Sequence, residues 1–174
     1  MMKLEDYNYP VKNGILAFQR GPLSCWWGGF RNQGKQPQFT DGILEYNCAE
    51  QYFMAAKAAM FGNNEKAQDI LKEKNPKKQQ QMGREVKNYN QSYWDDVKER
   101  VMYVANWMKY KQNPDLAALL KETGDLILAE ASDFDTIWGI GLDASDERAF
   151  DQTQWRGQNL LGKTLMKVRE ELNK

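Results

Sequence analysis

The sequence contains no histidine. The commonest general base and the commonest metal ligand are therefore missing. Any proton transfer must run through carboxylates, lysine, tyrosine or cysteine. Cysteine is almost as scarce. Cys25 and Cys48 are the only 2, and they form no Cys-x-x-Cys pair. A structural zinc site is not expected, and a reduced, intracellular protein is. Charge of one sign is not in excess: 24 Lys plus Arg balance 24 Asp plus Glu. Bulk electrostatics therefore do not draw the chain to nucleic acid, although a local basic groove stays possible. No stretch approaches the ~20 apolar residues that span a bilayer, and the opening MMKLEDYNYP has no apolar signal core. The expectation is a cytoplasmic protein without membrane association.

Aromatic residues are plentiful, with 6 Trp and 8 Tyr; such rings fill cores and also stack on bases. A chain of 174 residues suffices for one compact domain. GILAF, residues 14–18, reads as a short strand, and residues 21–30 as a Gly- and Trp-rich loop. Residues 31–37 are polar and expected to be exposed. Residues 38–46 read as a hairpin with Asp41-Gly42 as the turn signal.

Helices then dominate. CAEQYFMAAKAAMF spaces Phe53, Ala56 and Met60 helically, and NEKAQDILKEK follows. NPKKQQQMGREV offers Asn75 as a cap and Pro76 as first helical residue. Trp94, Val97, Val101, Val104 and Met108 predict an amphipathic helix over about residues 93–111. A second Asn-Pro start, Asn113-Pro114, opens a helix that stops at Gly124. DLILAEA reads as a strand, and Leu161, Leu165, Val168 and Leu172 mark a closing helix. Between them lies a long aperiodic stretch, and loops of that length are usually functional. With no repeat or linker, the chain reads as one α+β domain over residues 1–174, predominantly helical with a few short strands.

GQNLLGKT, residues 157–164, matches the P-loop pattern. A working P-loop follows a buried strand and uses small residues to wrap phosphate. Here AFDQTQWR precedes it, and Leu160 and Leu161 fill its middle. The reading is a loop end and helix start, with Gly157 and Asn159 ending the loop and capping.

Two clusters carry candidate chemistry. Glu50 and Lys57, seven residues apart, share one face of a predicted helix, ~10 Å apart along its axis. Their neighbours are apolar or aromatic, an unusual setting for charge. The second cluster is DFDTIWGIGL. Asp135 offers a carboxylate and Trp138 a stacking plate, and Gly139 and Gly141 permit close backbone approach. Glu50 with Asp135 could supply the two carboxylates of a glycosidic cleavage. Arg84 can fork onto a phosphate. Ser24 has no histidine partner, so triad chemistry is excluded.

The ordered stretches PLSCWWGGF, DGILEYNCAEQYFMAAKAAMF, MGREV, YWDDVKERVM, LLKETGDLILAEASDFDTIWGIGL and WRGQNLLGKTLMKVREEL, over about residues 15–172, resemble the NADAR family. Its name stands for NAD- and ADP-ribose-associated, and it includes the YbiA-like proteins. The resemblance implies the NADAR/YbiA-like fold and N-glycosidase chemistry. That chemistry is removal of ADP-ribose from modified guanine, a reversal of ADP-ribosylation, or cleavage of riboflavin-pathway ribosylaminopyrimidines. It implies catalytic Glu50, Lys57 and Asp135. Glu50 would act as acid–base and Lys57 as electrostatic clamp or amine nucleophile, while Asp135 would orient ribose or water. Substrate-binding roles fall on Ser24, Trp26, Arg84, Trp94, Trp138, Gly139, Gly141, Gly157 and Asn159. No metal or redox cofactor is implied, and the partner is an ADP-ribose-containing or ribosylated substrate. Three features depart from the family pattern: Cys25 after Ser24, Gln51 where a histidine is usual, and the insert between Leu142 and Gln154. A non-catalytic ADP-ribose or nucleotide sensor is the alternative from another class, and a purely structural helical domain a third.

Overall fold

The structure, a computed structural model, describes residues 2–29 and 38–174. The expectation for residues 31–37 lies outside the described residues, as does Phe30. The fold is α+β and predominantly helical, as the periodicity predicts, with six α-helices and five short strands among the described residues. The chain divides into two compact units, one formed by residues 1–24 and 114–174 and the other by residues 25–113.

The first unit is built on β1 (Val11–Lys12), β2 (Ile15–Phe18) and β5 (Ile127–Glu130), in the order β1-β2-β5. β2 is buried along its whole length, consistent with its apolar run, and pairs parallel with β5. β1 does not show in the hydropathy pattern because both its residues are exposed. It is antiparallel to β2, with Lys12 opposite Ile15. Asn13 and Gly14 between them have φ of 51° and 75°, as a two-residue hairpin turn of the mirror-image type demands.

Helix α5 (Pro114–Glu122) packs on α6 (Leu160–Leu172), and α6 packs on β5. The aperiodic stretch before α6 is not an open loop. Ile140, Leu142, Ala149 and Phe150 are buried in one cluster with Ile15, Ala17, Ala129 and Ala131. Asp143, Asp146 and Asp151 each hold a backbone N–H two residues on. Side-chain caps and long-range packing replace periodicity there.

The second unit contains α1 (Ala49–Met60), α2 (Asn64–Lys72), α3 (Pro76–Arg84) and α4 (Gln91–Lys111). A short antiparallel pair, β3 (Phe39–Thr40) and β4 (Glu45–Tyr46), precedes them. The hairpin tip is Gly42-Ile43, and the Asp41 carboxylate accepts from Ile43 and Leu44 backbone N–H groups. Asn75 caps α3 through a bond from the Lys77 N–H, and Pro76 opens the helix as expected. The buried face of α4 is rotated from the predicted stripe. Val97, Val104 and Met108 are half-buried, while Met102, Ala105, Asn106, Lys109 and Tyr110 face inward with Trp94 and Val101.

Candidate active site

In the second unit, α1 carries both members of the predicted pair. Glu50 sits in its first turn and Lys57 in its last. An acidic residue at the N-terminus and a basic one near the C-terminus both complement the helix dipole. Glu50 is 3% exposed. The loop before α1 docks on it twice. The Glu50 backbone N–H donates to the Cys25 carbonyl at 3.1 Å, and the Cys25 thiol donates to Glu50 Oε2 at 3.4 Å.

Lys57 is half-buried among rings. Its Nζ lies 4.4 Å from the Tyr89 ring centroid and 5.6 Å from that of Trp94. Trp94 is buried and packs on Phe53 at 5.0 Å. Burial first, and the Arg84 guanidinium second, push the Lys57 amine below the ordinary lysine range; Glu50 pulls the other way. Arg84 is exposed at the end of α3. The structure thus brings Glu50, Lys57, Arg84 and Trp94 into one electrostatic and packed neighbourhood. Trp26 is half-buried on the loop that holds Cys25.

Gln51, where a histidine is usual in the family, has a structural role. Its Nε2 donates to the carbonyls of Ile70, Leu71 and Glu73 at 3.0 Å, and its Oε1 accepts from the Asn47 N–H at 2.7 Å. It closes the C-terminus of α2 together with the Glu73 N–H, which donates to the Ile70 carbonyl, and Gln79 Nε2, which donates to the Glu73 carbonyl.

The other predicted residues lie in the first unit. Asp135 Oδ1 accepts from the backbone N–H groups of Ile137 and Trp138 at 2.9 and 2.8 Å. One carboxylate oxygen therefore shapes the turn that presents half-buried Trp138. The close approach permitted by the glycines is to the chain itself: a Cβ at Gly139 would meet the Asp135 and Glu130 carbonyls, and one at Gly157 the Gly139 carbonyl. Gly141 has φ 70°. Ser24 is buried, its N–H donating to the Gly21 carbonyl at 3.0 Å.

Asn159 stands at the N-cap of α6, but its side chain does not cap the helix. Oδ1 accepts from the Glu130 N–H at 3.0 Å and Nδ2 donates to the Leu128 carbonyl at 2.8 Å. The amide acts as a substitute strand on the edge of β5. A Cβ at Gly162 would collide with that same Leu128 carbonyl. Thr164 is buried and donates to the Leu160 carbonyl at 2.8 Å, and Lys163 is exposed. The P-loop-like octapeptide is thus a helix-to-strand clamp.

Sequence reasoning missed Cys25, Tyr89 and Lys109. Lys109 is fully buried, and burial pushes its amine down to about 8, against a smaller opposing effect of the Cys25 and Cys48 thiols. Its signal was a lysine on the same α4 face as Met102 and Ala105. Cys48 is also buried, its thiol pushed up to about 12, and donates to Gln79 Oε1 at 3.3 Å. No helix among the described residues is long and apolar enough to cross a membrane.

Comparison with known proteins identifies relatives along most of the chain. Protein irg-1 of Caenorhabditis elegans is 42% identical over 140 residues, spanning 79% of this chain and 66% of that protein. N-glycosidase R617 of Acanthamoeba polyphaga mimivirus is 45% identical over 129 residues, 74% of this chain and 76% of the viral protein. N-glycosidase YbiA of Escherichia coli is 32% identical over 146 residues, 84% of this chain and 82% of that protein. The NMR structure of E. coli YbiA superposes with a TM-score of 0.70 at 29% identity, covering 98% of this chain and 92% of that one. The NADAR domain model matches residues 17–173 and so takes in parts of both compact units. Matched by that model and by these relatives, the chain belongs to the NADAR family.

Proposed function

We infer that the chain is an N-glycosidase that acts as one functional domain and hydrolyses the bond between ribose and a nucleobase. The favoured substrate is an ADP-ribosylated guanine, in a nucleoside or a nucleic acid. Two curated relatives carry N-glycosidase in their names, which supports the reaction class. The observation that carries the reading is the α1 pair: a buried carboxylate, Glu50, and an amine, Lys57, lined by Tyr89 and Trp94 and pushed below the ordinary lysine range.

In this reading the resting pair is a Glu50 carboxylate and a Lys57 ammonium. Glu50 accepts a proton from Lys57 through a substrate hydroxyl or a water that bridges the two turns of α1 between them. The neutral amine attacks the anomeric carbon, forming a carbon–nitrogen bond as the bond to the base breaks. The departing base nitrogen takes the proton back from the Glu50 carboxylic acid. The ribosyl–lysine adduct opens its ring, moving a proton from nitrogen to the ring oxygen, and becomes an iminium. Water adds to the iminium carbon, giving a proton to Glu50. Collapse of the carbinolamine returns that proton to Lys57 and releases the free sugar. Arg84 is assigned to phosphate.

The test is a panel of three probes: ADP-ribosylated guanosine, ADP-ribosylated DNA and riboflavin-pathway ribosylaminopyrimidines. Release of free ADP-ribose from a guanine probe supports the reading. Cleavage of the pyrimidines alone reassigns the substrate. Binding without release of any sugar identifies a sensor and overturns the enzymatic reading.

A further inference from the structure

Lys57 is held without an acceptor. Among the described residues, no oxygen lies within hydrogen-bond or ion-pair distance of its Nζ. Two ring faces meet it instead, Tyr89 at 4.4 Å and Trp94 at 5.6 Å to the centroid. Trp94 is the inner wall, buried and packed on Phe53 at 5.0 Å. Tyr89 is the outer wall, 39% exposed. An aromatic side chain at the surface turns freely unless something fixes it, and several local devices fix this one. Gly62, with φ 73°, turns the chain after α1. Asn63 then ties the end of α1 to the segment that carries Tyr89. Its Nδ2 donates to the Phe61 and Lys87 carbonyls at 2.8 and 2.9 Å, and its Oδ1 accepts from the Lys87 N–H at 2.9 Å. Asn88 has φ 57°, a left-handed conformation that asparagine tolerates better than most residues. Asn90 caps α4 by accepting from the Tyr93 N–H at 2.9 Å. Between these points the Tyr89 ring packs edge-on against Phe61 at 5.3 Å, and its hydroxyl donates to Gln91 Oε1 at 2.9 Å.

We propose that Tyr89 is a positioning residue for Lys57: its ring face, opposite Trp94, holds the amine in place for attack on the sugar. This inference rests on the assignment of Lys57 as the amine nucleophile. A carboxylate in the same position would hold the ammonium too, but it would keep the proton on nitrogen and occupy the direction of the lone pair. A ring face attracts the cation through its quadrupole and accepts no proton. The amine therefore stays anchored while remaining able to discharge its proton and form a bond. The iminium that follows carries its positive charge on the same nitrogen, so the two rings serve the resting ammonium and the covalent intermediate alike. The work is done by the ring and not by the phenol hydroxyl, whose partner is Gln91.

Two measurements on the full chain decide the proposal. The first needs no substrate. Isotope-labelled methyl groups are placed on the lysine nitrogens by reductive methylation, which keeps the positive charge, and their NMR resonances are recorded. The Lys57 resonance is the one missing from Lys57→Arg. Lying over the Tyr89 face, it should fall upfield of the solvated lysines. Tyr89→Phe should leave it there, and Tyr89→Leu should move it toward them. A Lys57 resonance among the solvated lysines in the wild type, or one that ignores Tyr89→Leu, would overturn the proposal. The second measurement is turnover of ADP-ribosylated guanosine. Tyr89→Leu should lower kcat roughly tenfold with KM nearly unchanged, and the rate of borohydride-trappable adduct formation should fall in step. Tyr89→Phe should restore most of both. A raised KM at unchanged kcat would make Tyr89 a plate for the substrate and overturn the positioning role, as would a loss that Tyr89→Phe shares in full. If the wild type cleaves no probe, the proposed function fails, and the methyl resonance alone decides whether Tyr89 holds the amine.

Discussion

Lys57 Nζ lies 4.4 Å from the centroid of the Tyr89 ring. Burial against this ring and Trp94, with Arg84 adding repulsion, pushes the amine below the ordinary lysine range, and Glu50 offsets part of that. The mechanism needs one proton shared by the Glu50–Lys57 pair. Activity should therefore rise as Glu50 ionises and fall as Lys57 loses its proton. The basic limb of kcat/KM against pH is expected below the range of a solvated lysine. Arg84→Gln removes a repelling cation and should move that limb to higher pH. A limb that stays in place on this substitution separates Lys57 from the pH profile.

Lys109 makes a prediction about stability alone. Its amine is pushed down to about 8 in the fold, against ~10.4 in the unfolded chain. Between these values the unfolded state holds the proton and the native state does not, so stability rises with pH across the window. The full rise is worth roughly 3 kcal/mol. The Cys48 thiol, pushed up to about 12, has the opposite effect above the ordinary thiol range, so the Lys109 rise is cleanest between about pH 8 and 9. Denaturant unfolding at several pH values should show the rise in wild type and not in Lys109→Met.

The closing octapeptide should be indispensable for stability and its lysine dispensable for activity. Asn159→Ala removes two bonds to the backbone of β5 and should cost ~1–3 kcal/mol. Gly162→Ala drives a methyl into the Leu128 carbonyl and should lower Tm further. Lys163→Ala, at an exposed position, should leave nucleotide affinity and turnover within a few-fold. Loss of activity in a folded Lys163→Ala would restore a phosphate role to the motif.

Trp138 is held by the Asp135 turn and remains half-buried. If it plates a base or ribose, Trp138→Ala should weaken ligand binding by ~1–3 kcal/mol. Unchanged affinity with a large fall in Tm would assign the ring to the core.

Much of the fold is legible in the sequence, because amphipathic helices and a wholly buried strand leave periodic or continuous apolar patterns. β2, β5 and the six helices fall where those patterns put them. β1 was missed because its two exposed residues give no hydrophobic signal, although Asn13-Gly14 spells its turn. The stretch before α6 shows no periodicity in the sequence because its order comes from aspartate caps and from contacts distant in sequence. The Glu50–Lys57 pair was legible as two charges on an aromatic helix. Lys109 was not, since a lone lysine on α4 reads as solvated until packing buries it.

Borohydride trapping during turnover tests the central claim most directly. Wild-type protein incubated with ADP-ribosylated guanosine and borohydride should acquire a ribosyl adduct, located by mass spectrometry on Lys57, and lose activity in step with labelling. Lys57→Arg should neither trap nor turn over. Glu50→Gln should bind but turn over at least about 10²-fold more slowly. Full activity in Lys57→Arg without an adduct would reduce Lys57 to an electrostatic clamp and leave water as the nucleophile. Full activity in both variants would contradict the account and place the reaction elsewhere in the molecule.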